Sequence, residues 1–597
     1  MTRFASEIKD CRVCAAIRDC KHSVLMVGVF SFFENLLMLA APLYMLQVYD
    51  RVLTSQSLPT LVSLTLVTLT ALAALSLLHV ARGRLTAAAA DWLERRLSPG
   101  LFERAVQARL RSSPYGPEAL DDLATVSGFA TSPGMSAFFD LPWTLVFIAV
   151  AYMLHPWFGH LAVASAILLF VIALTGERLS REPVVRAREA AMIARRRLAD
   201  TSRNAEVIEA MGMMEPIRQR WAGINAQKLQ LQAQAQSRAG SFAGLTRFIR
   251  LSAQTATLGV GAFLVIGAEA TGGVMIAASI ILTRALGPIE MTIGAWRQVV
   301  ATRAALQRLK AFALEREYRP VAMTLPAPAG RLAAEKLVFR LPDGHSEPVL
   351  KGLDFAVEPG SSLAVIGPSG AGKSTLARLL VGALPPFAGV VRLDGADIFS
   401  WDRSRIGDYL GYLPQGVELF AGTVAENIAR MCEVDPDKVV TAARLVGIHE
   451  MILKLPQGYE TQIGAEGAYL SGGQRQQVGL ARAMYGMPAL IVLDEPNSNL
   501  DGAGDAALDR AVRAATQAGS TVVIITHKMN LVQNMSHVLM LRNGLVEAFG
   551  ERQAVLAKLM QPRQVAPMPQ PQPAKAPVAK VETVTPTPPQ FRSRRVS

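Results

Sequence analysis

Charge is scarce in this chain. Of its 597 residues 18% are Asp, Glu, Lys or Arg against 51% apolar, and the mean hydropathy is +0.27, a balance that a purely soluble protein does not need. Cysteine is scarcer still, with four residues at Cys11, Cys14, Cys20 and Cys432. Three of them crowd near His22. Cys11-x-x-Cys14 has the opening spacing of a zinc site, but Cys20-x-His22 is tighter than ordinary sites use, so the group reads as reduced thiols. Cys432 stands alone and is expected in the core. There is no internal repeat and no nucleic-acid recognition module, so the net charge of +13 needs another explanation than DNA or RNA. A cleaved secretory signal is excluded too, because the first apolar stretch is too long and more follow it.

Long hydrophobic runs are present instead, near 23–46, 58–80, 136–154, 158–175, 251–268 and 272–292. Each is roughly 18–24 residues, enough to cross about 30 Å of hydrocarbon at about 1.5 Å per residue. Six spans are expected, the third and fourth parted only by His155-Pro156-Trp157. Segment 81–135 carries seven Lys or Arg and 176–250 fourteen, while each of the other three connections carries at most one. That bias sets the long connections and both termini in the cytoplasm, and with a basic tail it accounts for the net charge. From Arg178 to Gly240 apolar residues recur at helical spacing, interrupted by Pro183, Gly212, Pro216 and Gly223, so helices are expected to carry the spans well beyond the membrane.

Composition changes abruptly at Ala327-Pro328-Ala329-Gly330. A short N-terminal segment (1–22) and a membrane domain (23–326) are thus followed by short β-like runs and Gly-rich turns over 331–562, long enough for one α/β domain. The remainder, 563–597, is rich in Pro, Ala, Gln and Val and buries too little apolar surface to fold.

The second domain holds the chemistry. Gly367-Pro368-Ser369-Gly370-Ala371-Gly372-Lys373-Ser374 follows the apolar run Leu363-Ala364-Val365-Ile366 and precedes a helix opened by Thr375. Strand, Gly-rich loop, helix is a phosphate cradle. Backbone N–H groups turn toward the α- and β-phosphates, Lys373 reaches the β- and γ-phosphates, and the Ser374 hydroxyl ligates Mg²⁺. Downstream, Leu490-Ile491-Val492-Leu493 delivers Asp494 and Glu495 to the end of a buried strand. Two acids there suggest two jobs, Asp494 holding Mg²⁺ and Glu495 polarising the attacking water. ATP and Mg²⁺ are the expected cofactors.

Leu470-Ser471-Gly472-Gly473-Gln474 lies between these motifs, with Gln415 before it and Asn499-Leu500-Asp501 and His527 after. In this order the set resembles an ABC-type ATPase, attached here to a six-helix all-α transmembrane domain of the exporter type. The resemblance implies that Ser471, Gly472, Gly473 and Gln474 contact ATP held by a second nucleotide domain. It also implies that Gln415 ligates the metal and links the site to the membrane domain, and that His527 contacts the γ-phosphate. Family members often stack adenine on an aromatic ring, where this chain has Leu341; Phe339 is the substitute considered.

One phosphate loop and one Leu470-to-Gln474 motif make a half-transporter, with a homodimer as the default. Tyr44-Met45-Leu46-Gln47-Val48-Tyr49-Asp50-Arg51-Val52-Leu53, Phe138-Phe139-Asp140-Leu141-Pro142-Trp143 and Ser279–Leu286 resemble type I secretion permease/ATPases, in the group exporting alkaline proteases, lipases and haem-binding proteins. So does Glu495-Pro496-Asn497-Ser498-Asn499. The resemblance implies a multi-pass protein of the bacterial inner membrane, surrounded by lipid and partnered by a periplasmic adaptor and an outer-membrane channel. The cargo implied is an unfolded polypeptide with an uncleaved C-terminal signal, because the short N-terminus leaves no room for a leader peptidase. An exporter of lipid or small hydrophobic molecules is the alternative. Glu34 and Arg284, each placed near mid-bilayer by residue count, are expected to pair, and Arg284 and Glu290 to line a polypeptide path.

Overall fold

A computed structural model describes residues 12–560 apart from 112, 114, 316–317, 320–323, 342–346, 465–466 and 499–501. Cys11, the run Asn499-Leu500-Asp501 and the tail 563–597 lie outside the described residues. The chain separates near residue 320 into two compact units.

The first unit is helical. After a short helix Arg12–Asp19 come α1 (Lys21–Leu37) and α2 (Ala40–Gln47), extended by a π-helical turn Val48–Val52. The chain reverses at Gln56 and enters α3 (Leu58–Leu110), capped by the Ser57 hydroxyl. Next are α4 (Glu118–Ala130), α5 (Pro133–Asp140), α6 (Trp143–Leu154) and α7 (Pro156–Ser202), then α8 (Met214–Ile266) and α9 (Gly272–Leu314). Among the described residues five helical stretches are long and apolar enough to cross a membrane, and six if α5 and α6, bent by 50°, form one span. The spans do not stop at the hydrocarbon. At 53 residues α3 and α8 are each about 80 Å long, and α7 packs along α8. Of the interruptions expected between 178 and 240, Pro183 sits inside α7, and the chain bends instead around Gly212, where φ is +62°.

Sequence segments that looked family-specific prove to be joints. Asp50, in the π-helical turn, accepts from the Thr271 hydroxyl at 2.7 Å and the Gly273 N–H at 3.0 Å. It thereby satisfies donors at the N-terminus of α9, where a negative charge also suits the helix dipole. A side chain on Gly273 would place its Cβ 2.4 Å from Asp50 Oδ1, so a larger residue there would push the carboxylate off its two donors.

Asp140 anchors a second joint, at the bend between α5 and α6. Its Oδ1 accepts from Ser31 at 2.6 Å, Asn35 at 3.0 Å and Arg82 at 3.2 Å. The same guanidinium donates to Glu34 Oε2 at 2.5 Å and to Ser136 O at 3.0 Å. Glu34 and Arg82 are 2% and 4% exposed, so each charge depends on the other for the hydration it has lost. The expected Glu34–Arg284 pair is therefore corrected. Among the described residues Arg284 reaches the Met38 sulfur alone, at 4.0 Å, and Glu290 is taken by Arg250 at 2.9 Å. Counting residues along a span gives depth but not the face on which a side chain stands. By hydropathy Arg82 falls in the connection 81–135, whereas α3 runs on unbroken and brings it level with Glu34.

On α4, Asp122, 4% exposed, accepts from Nε and Nη2 of Arg308 at 2.7 Å, from Arg188 at 3.2 Å and from the Tyr115 hydroxyl at 2.7 Å. This ties α4 to α7 and α9. Arg188 of α7 and Arg308 of α9 thus share a partner inside the unit.

The second unit has two sheets. β1 (Leu332–Phe339), β2 (Leu350–Val357), β4 (Ala388–Leu393) and β5 (Ala396–Asp397) form an antiparallel sheet in the order β2-β1-β4-β5. β3 (Ser362–Ile366), β6 (Leu410–Leu413), β7 (Leu490–Asp494), β8 (Thr521–Ile525), β9 (His537–Arg542) and β10 (Leu545–Glu551) form the other, ordered β10-β9-β3-β8-β7-β6 and parallel except at β10. β7 and β8 are buried along their whole length, which explains their unbroken apolar sequence. Cys432, expected in the core, is exposed; it follows Arg430 and Met431, both at φ +59°, on a turn that leaves the packed layers.

Replacing Arg82 with Gln leaves two carboxylates in apolar surroundings and is expected to cost roughly 3–5 kcal/mol of stability. Thermal unfolding of the purified protein reads this as a large fall in midpoint. In the same assay Glu34→Gln and Arg284→Gln are expected to be additive within about 0.5 kcal/mol, as non-contacting sites are.

Candidate functional site

Strand order assembles the site. β3, β8, β7 and β6 are neighbours, and the chain leaving each one carries a sequence-predicted residue: the phosphate loop after β3, His527 after β8, Glu495 after β7 and Gln415 after β6. Ligands of open parallel sheets bind at this edge. The loop curls into α10 (Lys373–Leu380), and a Cβ on Gly372, at φ +97°, would fall 2.7 Å from Leu350. Lys373 is 7% exposed and donates to Gly367 O and Pro368 O, both at 2.9 Å. It laces the loop closed. Burial holds its ammonium below the usual lysine pKa, against the pull of Glu495 and Asp494.

Asp494 ends β7 at 2% exposure, and its Oδ1 has no hydrogen-bond partner. Burial raises its pKa, a hydrogen bond from Ser374 opposes the shift, and the charge of Glu495 adds to it. An orphaned carboxylate oxygen beside a serine hydroxyl, with the Gln415 amide just beyond β6 and bonded to the neighbouring Glu495, offers oxygen donors suited to Mg²⁺.

Glu495 is gripped on both sides. Gln415 Nε2 donates to Oε2 at 3.1 Å and His527 Nε2 lies 3.2 Å from Oε1. Its backbone stands at φ +51°, the left-handed region that non-glycine residues seldom adopt. The Glu495 N–H donates to Ile525 O at 2.9 Å. Its carbonyl accepts from Gln476 Nε2 at 3.1 Å. Gln476 went unremarked in the sequence, where it is only one glutamine in Gln474-Arg475-Gln476-Gln477.

Ser471 caps α11 (Gly472–Met484) in a reciprocal capping box with Gln474. Among the described residues no hydrogen bond runs from Ser471 or Gln474 to the phosphate loop, so one chain does not bring these two motifs together. Phe339 is 8% exposed and packed in the core, whereas Leu341 is 49% exposed. Of the two adenine-contact candidates, only Leu341 offers a side chain to solvent.

The chain matches the ABC transporter family model over residues 350–498 and the ABC transporter transmembrane region over 24–286. It is 39% identical over 554 residues to the type I secretion system ATP-binding protein PrsD of Rhizobium meliloti, covering 92% of this chain and 95% of that protein. The chain is a type I secretion ABC transporter. It is also similar to the cyclolysin secretion/processing ATP-binding protein CyaB of Bordetella pertussis, at 28% identity over 90% of this chain and 76% of that one. Among solved structures, a bacterial Atm1-family ABC exporter with ATP bound aligns at TM-score 0.77 and 22% identity, covering 90% of this chain and 96% of the other; at that identity the likeness is one of fold.

The raised pKa of Asp494 makes a pH prediction for the nucleotide-free transporter. The folded state favours the protonated acid, so this group's stabilising contribution is present at low pH and is lost as pH rises through its folded pKa. Asp494→Asn is therefore expected to have a higher melting temperature than wild type at pH 7.5, the gap closing toward pH 4, while MgATP no longer stabilises it. A lower melting temperature for the variant at pH 7.5 would contradict the assignment.

Proposed function

We propose that this transporter is the inner-membrane engine of a type I secretion system, a homodimer that couples ATP hydrolysis to export of a polypeptide carrying an uncleaved C-terminal signal. The observation that carries the reading is the match to PrsD across both halves of the chain, since a shared ATPase alone would not distinguish one kind of exporter from another. The nucleotide domain and both termini face the cytoplasm in this reading, supported by the Lys and Arg of the long connections. A periplasmic adaptor and an outer-membrane channel complete the path.

The hydrolytic roles rest on the geometry of Glu495. Its carboxylate, aimed by Gln415 and His527, is placed to accept a proton from water attacking the γ-phosphate. Lys373 and the loop amides neutralise the β- and γ-phosphates, and His527 contacts the γ-phosphate. Ser374, Asp494 and Gln415 would hold Mg²⁺, which would supply positive charge to offset that of the phosphates. Ser471, Gly472, Gly473 and Gln474 act on the partner copy's ATP, consistent with their separation from the loop of their own chain.

Glu495→Gln is expected to retain MgATP binding while lowering hydrolysis at least a hundredfold. Activity within about threefold of wild type, under 1 kcal/mol of transition-state stabilisation, would remove Glu495 from the role of base. For the cargo, the transporter is produced with its adaptor and channel in a secretion-deficient host. The last sixty or so residues of a genomically neighbouring repeat-rich protein, fused to a slow-folding reporter, are expected to take the reporter outside. Retention of the reporter together with export of a lipid or drug would favour the small-molecule reading.

A further inference from the structure

Gln476 joins two things that act on different ATP molecules. It lies in the first turn of α11, five residues after Ser471, and is 3% exposed. Its Nε2 donates to the Glu495 carbonyl at 3.1 Å, and its Oε1 accepts from the Ser498 hydroxyl at 3.3 Å. Ser498 N–H also donates to Glu495 O, at 3.2 Å. The left-handed peptide of Glu495 is therefore held by β8 on its N–H side and by α11 on its carbonyl side. The far end of α11 is fastened as well. Arg430 donates to the carbonyls of Arg482, Ala483 and Tyr485 at 3.1, 3.4 and 3.1 Å, which a helix leaves without partners at its C-terminus. Arg482 donates to Glu418 O at 3.1 Å, three residues beyond Gln415. An intact helix bonded at both ends moves as one body.

We propose that Gln476 is a positioning residue that couples the two ATP sites of the dimer. This rests on the dimeric reading, in which Ser471 engages the γ-phosphate bound by the partner copy while Glu495 serves the ATP of its own chain. When the partner's ATP draws on the N-terminus of α11, the Gln476 amide transmits the shift to the Glu495 carbonyl and so to the direction of its carboxylate. Each site is then set for hydrolysis by occupancy of the other. The coupling runs through one amide-to-carbonyl hydrogen bond beside a backbone already in a rare conformation, where a small displacement changes the side chain's aim.

Gln476→Leu keeps much of the volume and removes the hydrogen bonds. ATPase measured against MgATP concentration in the full-length variant is expected to show about a tenfold lower kcat, a KM within twofold, and a Hill coefficient falling from above 1 to 1. Melting temperature and MgATP affinity stay near wild type, which a merely structural role would not predict. Ser498→Ala, which leaves the Gln476–Glu495 bond in place, is expected to keep the wild-type Hill coefficient. A Hill coefficient of 1 in wild type, or one unchanged by Gln476→Leu, overturns the coupling. A separate control tests the dimeric reading: Ser369→Cys in one copy and Ser471→Cys in the other, without native cysteines and with Glu495→Gln, are expected to cross-link on adding MgATP. Cross-linking without loss of cooperativity sinks the coupling alone, and no cross-linking sinks the dimeric reading and the coupling with it.

Discussion

Burial of Asp494 at the end of β7, with one carboxylate oxygen left without a hydrogen-bond donor, is the constraint around which the nucleotide domain is built. An isolated carboxylate out of water is costly, and it survives here because Ser374 donates to it and Lys373 and Arg378 lend it positive potential. Lys373 is in the mirror-image position, losing hydration while its ammonium is held by two loop carbonyls. Opposite charges are thus kept close, incompletely solvated and incompletely paired. In the proposed function, phosphates and a divalent cation would complete both at once, so that nucleotide binding would relieve an electrostatic tension set by folding.

Glu495 is treated differently, although it is the next residue. It is more exposed, and its carboxylate is aimed by neutral and titratable neighbours instead of being buried. The division follows from the strand. A β-strand sends successive side chains to opposite faces, but here the chain also departs from extended geometry at Glu495, whose positive φ turns it away from the line of β7. In the proposed function one acid serves the metal and the other the water.

The membrane domain applies the same economy to charge. Two carboxylates share one guanidinium where α1, α3 and α5 meet, and Asp50 spends its charge on a helix terminus. Neither arrangement adds much stability over an apolar contact. What they add is geometry: a register between helices that apolar side chains alone, free to slide in lipid, would specify poorly.

Much of this was legible in the sequence, because some physical signals are local. Span length follows from hydrocarbon thickness, so the six apolar runs were placed closely. The phosphate loop, Asp494 and Glu495 are legible because they stand at the ends of apolar runs, and Gln415 and His527 through the resemblance to ABC-type ATPases; the parallel sheet then gathers these strand ends at one edge. Other features depend on direction, which a linear pattern does not carry. Hydropathy set the depth of Glu34 but not its azimuth, and the structure gives it Arg82 instead of Arg284. Phe339 and Leu341 stand two apart on or just after β1, yet only the packing of that sheet decides which one is buried, and Cys432 is exposed because two left-handed residues turn it outward. Gln476 shows the limit most clearly: the glutamine lay in plain view, but its meaning is a bond to a residue nineteen positions away. The sequence by itself determined which chemistry this chain carries, since motifs encode donors, acceptors and lengths. Only the tertiary structure decided which of those groups face one another, because that depends on how helices rotate and strands are ordered as the core closes.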